Sequence, residues 1–459
     1  MQLAVIASFL LATTVQATPA HSDWPKYCGT LGMTGTAQAA GNLSTRTASF
    51  YTLAWSAQLS GPIASQPTVV GGLVYIGDWS GMEWAFDATT GAMVAEADLG
   101  TTFAPQCDPS GLGITSSASV SNGFLYVAGG DDAFYALDPQ TLNVLWRQSL
   151  GDNSANGGYY GWCSPAVAGS KVIQGISSNC DNPFVPGRVV GLGLFDGSLT
   201  SQALLVTPEW PHDSAGSGVW TSPSVDDANH DVFITTGSAN QIDDGYAYSI
   251  VRLDLDSLAI LESWKLVDAD PLADADWGTS PTLFNDSSGN QLVGAGEKDG
   301  HYYAFARHNL AAGPIWKTEL AKGGACPLCS DGVLSTAAFD GTRLYAGSGR
   351  PPGQDDSTIG AVYALNPDDG TILWQHLFKA PVIAPISYAN GVVFTTVGKS
   401  AVALNSETGA MLWHADTAEI CVGGVAITDR GIVFGDLAGN LYAYALPPEV
   451  TKVRALRAR

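Results

Sequence analysis

The sequence predicts an all-β chain, an eight-bladed β-propeller closed by an N-terminal strand in its last blade. Three observations predict it. A phrase made of an aromatic, a small residue, an apolar residue and then Asp or Asn before a Thr-Gly or Asp-Gly turn returns along the chain. Short alternating runs of Val, Ile, Tyr and Phe, bounded by Gly, Asp and Asn, precede it and read as strands. A strand ending in Trp often follows it, and no long segment carries a helical period. A fixed-period repeat decides architecture first, because each unit needs neighbours to bury its apolar face.

The phrase is written as Trp84-Ala85-Phe86-Asp87-Ala88-Thr89-Thr90-Gly91, and again as Tyr135-Ala136-Leu137-Asp138, Tyr363-Ala364-Leu365-Asn366 and Val402-Ala403-Leu404-Asn405. Units centre near Val74, Tyr126, Val172, Phe233, Val293, Tyr345, Phe394 and Phe434. The Trp strands contain Trp55, Trp146, Trp264, Trp316, Trp374 and Trp413. The last four stand one blade apart, and each wider gap before them holds two blades. The final unit, ending at Leu441-Tyr442-Ala443-Tyr444, has no Trp strand, and Leu53-Ala54-Trp55-Ser56-Ala57 has no unit before it. Trp55's strand therefore completes the last blade and removes the exposed sheet edge. The chain divides into a leader (1–20), an N-terminal extension (21–49), the propeller (50–446) and a C-terminal tail (447–459).

The apolar run Met1–Ala12 is too short to span a bilayer, and small residues follow around Val15-Gln16-Ala17. That predicts a secretory signal cleaved near Ala17 or Ala20, and a protein that is extracellular, or periplasmic in a bacterium. The absence of Lys and Arg ahead of the run fits a eukaryotic signal slightly better. No later segment is apolar enough to cross a membrane. With 20 Lys+Arg against 43 Asp+Glu, a net charge of −23, the chain repels nucleic acid and anionic surfaces. It favours neutral or cationic ligands and divalent metals; plain solubility accounts for the charge equally simply. A closed ring is expected to be a monomer.

Seven cysteines in a secreted chain predict disulfides with one left over. Cys163 and Cys180 flank one strand pair and are expected to bridge within a blade. Cys326-Pro327-Leu328-Cys329 reads as a loop disulfide, since Ser330 stands where a haem-attachment motif has His. Asn42-Leu43-Ser44 and Asn285-Asp286-Ser287 are glycosylation sequons.

No Gly-x-Ser-x-Gly elbow, His-Glu-x-x-His or phosphate-binding loop is present, and the seven His have no metal-ligand spacing. The unusual stretch lies between about 216 and 305. It holds Trp220, Asn240, Asp274, Asp276 and Lys298 at blade entries and strand ends, where loops reach the propeller axis. A flat aromatic, an amide, two carboxylates and a cation suit a planar, polyanionic redox ligand held with a hard cation. The plainer alternative is structural, because Asp and Asn cap turns and Trp packs blades.

The runs Tyr75-Ile76-Gly77-Asp78-Trp79-Ser80-Gly81, Asp23-Trp24-Pro25-Lys26-Tyr27, Gly218-Val219-Trp220-Thr221-Ser222-Pro223 and Asp276-Trp277-Gly278-Thr279-Ser280-Pro281 resemble those of the pyrroloquinoline quinone (PQQ) dehydrogenases, most of all the polyvinyl alcohol dehydrogenase subgroup. The likeness covers essentially the whole mature chain, although non-catalytic outer-membrane assembly scaffolds share the generic repeat. It implies an alcohol-oxidising enzyme using PQQ and calcium. In that likeness Trp220 stacks beneath the quinone, Asn240 binds calcium and Lys298 touches the quinone oxygens. Asp274 is the general base beside calcium, with Asp276 the alternative register. A separate electron acceptor is implied, since there is no haem segment.

The chain also departs from the pattern. It has no adjacent Cys-Cys pair. Asn179 or Asp181 stands where a calcium-binding Glu is expected, and Gly187-Arg188 reverses an expected Arg-Gly. Two other readings follow from this: an enzyme on the same fold with altered cofactor use, acting on a secondary metabolite, or a non-catalytic propeller binding a protein or glycan.

Overall fold

The computed structural model describes residues 23–37, 40–152, 154, 157–206, 215–239, 245–266, 276–324, 326, 330–355, 357–448 and 450. Eight antiparallel sheets follow one another along the chain, at 68–98, 119–149, 166–204, 224–265, 282–319, 335–378, 387–416 and 426–445. They are blades one to eight. Blade three carries an extra short strand at Tyr159–Tyr160. The strand Thr52–Gln58 joins blade eight by pairing with Asn440–Ala445, Trp55 opposite Ala443, so the ring closes as the repeat predicted. No helix among the described residues is long and apolar enough to cross a membrane.

Sequence pattern follows position within a blade. The second strand is covered on both faces, as in the apolar run Leu73–Gly77, where every residue is buried. The outermost strand, such as Met93–Asp98, alternates between exposed and half-buried residues. The repeated phrase ends the third strand in blades one, two, six and seven. The Asp87 carboxylate accepts N–H bonds from Thr89 (3.0 Å) and Thr90 (2.8 Å), the local capping that makes Asp and Asn turn residues.

The closing glycine of the phrase serves the neighbouring blade. Gly91, in the left-handed region at φ 71°, lies under the Trp55 ring, and a Cβ there would sit 2.6 Å from it. Gly409 lies in the same way under Trp374. Three of these Trp residues show the indole N–H donated onward: Trp55 to Ala88 O at 3.1 Å, Trp374 to Ser406 O at 2.9 Å and Trp413 to Tyr51 O at 3.0 Å.

Around the axis, hydroxyls stitch one blade to the next. Ser117 Oγ accepts from Gln66 N, Ser164 Oγ from Ser117 N, Ser222 Oγ from Ser164 N, Ser280 Oγ from Ser222 N and Thr336 Oγ1 from Ser280 N, at 2.8–3.2 Å. Residues 24–35 cross the first strands of successive blades. Trp24 pairs with Val69, and the carbonyls of Pro25, Leu31, Gly32, Thr34 and Gly35 accept in turn from Val120, Val225, Leu283, Phe339 and Tyr388. This satisfies edge groups of six different blades.

The cysteines correct the expectation. Cys180 bridges Cys107, 73 residues away, with Cα atoms 5.9 Å apart, and Cys163 is free and buried. Cys163 enters the blade interior, where its Sγ accepts from Gly175 N at 3.2 Å, whereas Cys180 lies beyond the end of the strand Lys171–Ser178. A bridge within the blade is therefore out of reach. Cys28 and Cys421 are also free and buried, behaving as small hydrophobes, so three thiols are left over rather than one. Cys326 is disulfide-bonded; Cys329 lies outside the described residues.

Candidate active site

A cavity of about 310 Å³ opens where the ends of second strands meet the links that enter blades four and five. That is at the small end of the roughly 300–1,000 Å³ usual for ligand pockets. Trp220 comes from the link into blade four. Gly218 lets that link pass close to blade three, since a Cβ there would stand 2.7 Å from Ser177 Cβ. Asp276 comes from the link into blade five, and Lys298 from the turn between that blade's second and third strands. The Lys298 N–H donates to Asp276 O at 3.1 Å, which fixes the two side by side.

The three side chains form one unit. Lys298 Nζ lies 2.6 Å from Asp276 Oδ1, Trp220 Nε1 donates to Asp276 Oδ2 at 3.2 Å, and Lys298 Nζ stands 5.4 Å from the Trp220 ring centroid. Asp276 is 3% exposed and Lys298 8%, so each charge depends on the other for its burial. Asn179, on the facing wall, is buried with both amide atoms unpartnered. A buried polar group in that state calls for an explanation, such as a ligand or ion the site accepts. Asp181, two residues on, accepts from Ser238 Oγ at 3.1 Å, and Cys180 between them ties this wall through the disulfide to Cys107.

Of the residues expected from sequence, the fold brings Trp220, Asp276 and Lys298 together with Asn179 and Asp181. Asn240 and Asp274 lie outside the described residues. Asn285 is exposed at the end of its strand, and Asn42 lines a separate groove of about 420 Å³ beside the closing blade; neither belongs to this pocket.

Sequence reasoning missed Trp162 and Glu297. Trp162 lines the pocket and holds its wall by donating to Ser178 O at 2.9 Å. Its signal was present: Trp162-Cys163-Ser164-Pro165 repeats the register of Trp220-Thr221-Ser222-Pro223, and the two serines are 58 residues apart. Trp162 and Trp220 also close one end of an axial chamber of about 270 Å³, with Tyr27 among its lining residues. Glu297, next to Lys298, is fully buried. Burial first, then the nearby Asp299 and Asp276 charges, raise its carboxyl far above the ordinary range.

A planar anionic ligand fits these residues. Trp220 offers a face, Lys298 a buried cation and Asn179 an unspent amide. Calcium, which takes six to eight oxygens, fits them poorly. The Asp276 carboxylate is occupied by Lys298 and Trp220, and among the described residues no group of three His, Cys, Asp or Glu side chains is placed to hold a metal.

The family model described as outer membrane protein assembly factor BamB, a PQQ-type repeat, matches residues 52–255 and 298–447. A polyvinylalcohol dehydrogenase of Sphingopyxis sp. (strain 113P3) is 24% identical over 427 residues, covering 80% of this chain and 62% of that protein. The chain thus spans under two thirds of that curated relative. Among solved structures, the quinohemoprotein alcohol dehydrogenase of Comamonas testosteroni superimposes with a TM-score of 0.75 at 18% identity, over 93% of this chain and 80% of that one. A europium-containing methanol dehydrogenase superimposes with a TM-score of 0.75 at 16% identity, over 93% and 98%. At such identities these structures establish the shared fold.

Proposed function

We propose, from the premise that this chain belongs to the PQQ-type β-propeller family, that it is a secreted quinoprotein-type oxidoreductase that oxidises an alcohol and passes the electrons to a separate acceptor. The observation that carries the reading is the buried Lys298–Asp276–Trp220 unit facing an unpartnered Asn179 across one cavity. A scaffold has no need of a desolvated cation under an open pocket.

In this reading PQQ, when bound, supplies the two-electron acceptor. Trp220 presents its face to the ligand and Lys298 pairs with its oxygens. Asn179 spends its amide on the same ligand. Asp276 accepts the hydroxyl proton of the alcohol as general base, held in place by Trp220 Nε1; Asp274 is the neighbouring register. Calcium belongs to the reading through Asn240 and Asp274, and no step here runs through it. The leader (1–20) would export the protein.

The test mixes the purified protein with PQQ, with and without Ca²⁺. Binding is followed by tryptophan quenching, then primary and secondary alcohols are assayed with a dye acceptor. Saturable quenching and alcohol-dependent dye reduction are expected. No quenching and no PQQ-dependent reduction would sink the reading. Asn179, neutral where a carboxylate is expected, favours a second one, an enzyme of the same fold with a changed cofactor. Alcohol oxidation that ignores added PQQ would select it. Absence of any oxidation or ligand would select a binding propeller.

A further inference from the structure

The links that enter blades one, four, six, seven and eight carry the same pair of positions at the axis. The first position is apolar and packs between blades: Ile63, Val219, Val333, Val382 and Cys421 are all buried. The second lines the axial chamber and holds Ala64, Trp220, Leu334, Ile383 and Val422. These side chains are only half-buried. Packing between the blades is therefore met by the first position, and the second is left to whatever fills the chamber. Three aliphatic side chains of increasing exposure to an internal space need a reason, because that surface gains most when something apolar covers it.

The chamber differs from the pocket in charge and shares two walls with it. Trp162 and Trp220, from blades three and four, line both cavities. Ile383 and Val422, from blades seven and eight, stand across the axis from them. Blade five supplies Gly278, two residues on from Asp276 and without a side chain. Asp181, Asp276 and Lys298 line the pocket, whereas among the described residues no charged one lines the chamber. Its polar side chains are largely spent within the fold. Tyr27 Oη donates to Thr336 Oγ1 at 3.1 Å. The Gln66 amide accepts from Cys28 N at 2.8 Å and donates to Val425 O at 3.0 Å. Ser117, Ser164, Ser222, Ser280 and Thr336 hold the N–H groups of neighbouring blades. Trp79 Nε1 is buried without a partner.

Resting on the reading of the pocket as an alcohol-oxidising site, we infer that the axial chamber is the subsite for the body of the alcohol, and that it selects neutral alcohols with an apolar chain. The hydroxyl end lies at the Trp162–Trp220 side, where the Trp220 indole reaches Asp276, and the chain covers Leu334, Ile383 and Val422. The anionic ligand is drawn to the buried Lys298 cation, which leaves the uncharged chamber to the second reactant. A charge at the far end of the alcohol would enter a wall that offers it no counter-charge, and burying it there is costly. The orphaned Trp79 N–H admits one neutral acceptor.

Two readouts test the subsite. The first needs no cofactor: 1-hexanol is titrated into the protein and followed by saturation-transfer NMR. Saturable binding is expected, weakened about fivefold or more by Ile383→Trp, which fills the chamber. Val422→Phe, from another blade, repeats the test should the first variant misfold. No binding, or equal binding in the native protein and a folded variant, overturns the subsite. The second readout uses the PQQ-loaded native protein. From 1-propanol to 1-hexanol, kcat/KM should rise about three- to fourfold for each added CH₂. With 6-hydroxyhexanoate, which has the length of 1-hexanol and a terminal charge, it should fall about a hundredfold. A flat series in which the carboxylate reacts as well as 1-hexanol overturns the subsite even if the alcohol binds. Saturable binding sensitive to Ile383→Trp, without dye reduction by any alcohol, would instead bring down the dehydrogenase reading and leave a chamber for neutral apolar ligands.

Discussion

Lys298 Nζ and Asp276 Oδ1 stand 2.6 Å apart with both side chains almost out of solvent. Removing one partner leaves the other charge buried alone, which typically costs about 3–5 kcal/mol. Asp276→Asn and Lys298→Met should each destabilise on that scale in thermal or denaturant unfolding. The double variant Asp276→Leu/Lys298→Met should recover much of the loss. In the same proteins, Asp276→Asn should lower alcohol turnover by about 10²–10⁴-fold if Asp276 is the base. Turnover at the native level would move that role to Asp274.

The disulfide between Cys107 and Cys180 closes 73 residues of chain and lies against Asn179 and Asp181. Limiting the unfolded chain over that length is worth about 4 kcal/mol in the chain-entropy model. Cys107→Ser should therefore lower the melting temperature, and it should also loosen the wall that holds Asn179. We expect weaker quenching by PQQ in this variant, and in the native protein after reduction. Unchanged ligand affinity with lowered stability would show that the bridge serves the fold alone.

Gly91 sits under the Trp55 ring at φ 71°. An added Cβ meets the ring at 2.6 Å and strains the backbone as well, effects of about 1–3 kcal/mol. Gly91→Ala should destabilise the closure between blades eight and one. Gly123→Ala, at a turn glycine whose Cβ would meet nothing within 4 Å, carries the backbone strain without the clash. Equal losses in the two variants would show that the ring contact contributes nothing.

These contacts explain what the sequence could reveal. The Trp55–Gly91 docking and the Asp87 turn cap are local or nearest-neighbour devices. Each repeats with the blade, so the ring and its closure were legible as a period. The pocket is assembled where the period falters, from links and turns of blades three, four and five. Trp220, Asp276 and Lys298 stood out through their motifs. Asn179 did so only as a substitution for an expected acid. Glu297 carried no signal, because its complete burial beside Lys298 appears only in the folded blade. The Cys107–Cys180 bridge was illegible for a similar reason. It joins the link between blades one and two to a turn in blade three, and pairing of cysteines so far apart follows only from the ring geometry.

Asp132, in blade two, is 1% exposed with both carboxylate oxygens unpartnered. Burial pushes its carboxyl up to about 7 against the pull of the Arg188 guanidinium, and the Asp131 and Asp152 charges add to the rise. The folded value lies above the unfolded one of about 3.9, so the folded state holds the proton more tightly. The stabilisation from that proton is full below about pH 4 and is lost as pH rises through 7. Its size is of the order of 4 kcal/mol. Asp132→Asn keeps the uncharged shape and cannot ionise. Unfolding free energies measured from pH 4 to 8 should fall less in this variant than in the native protein, making it the more stable of the two at pH 8. Parallel profiles for the two proteins would mean that Asp132 is ionised in the folded state and that Arg188 governs the site.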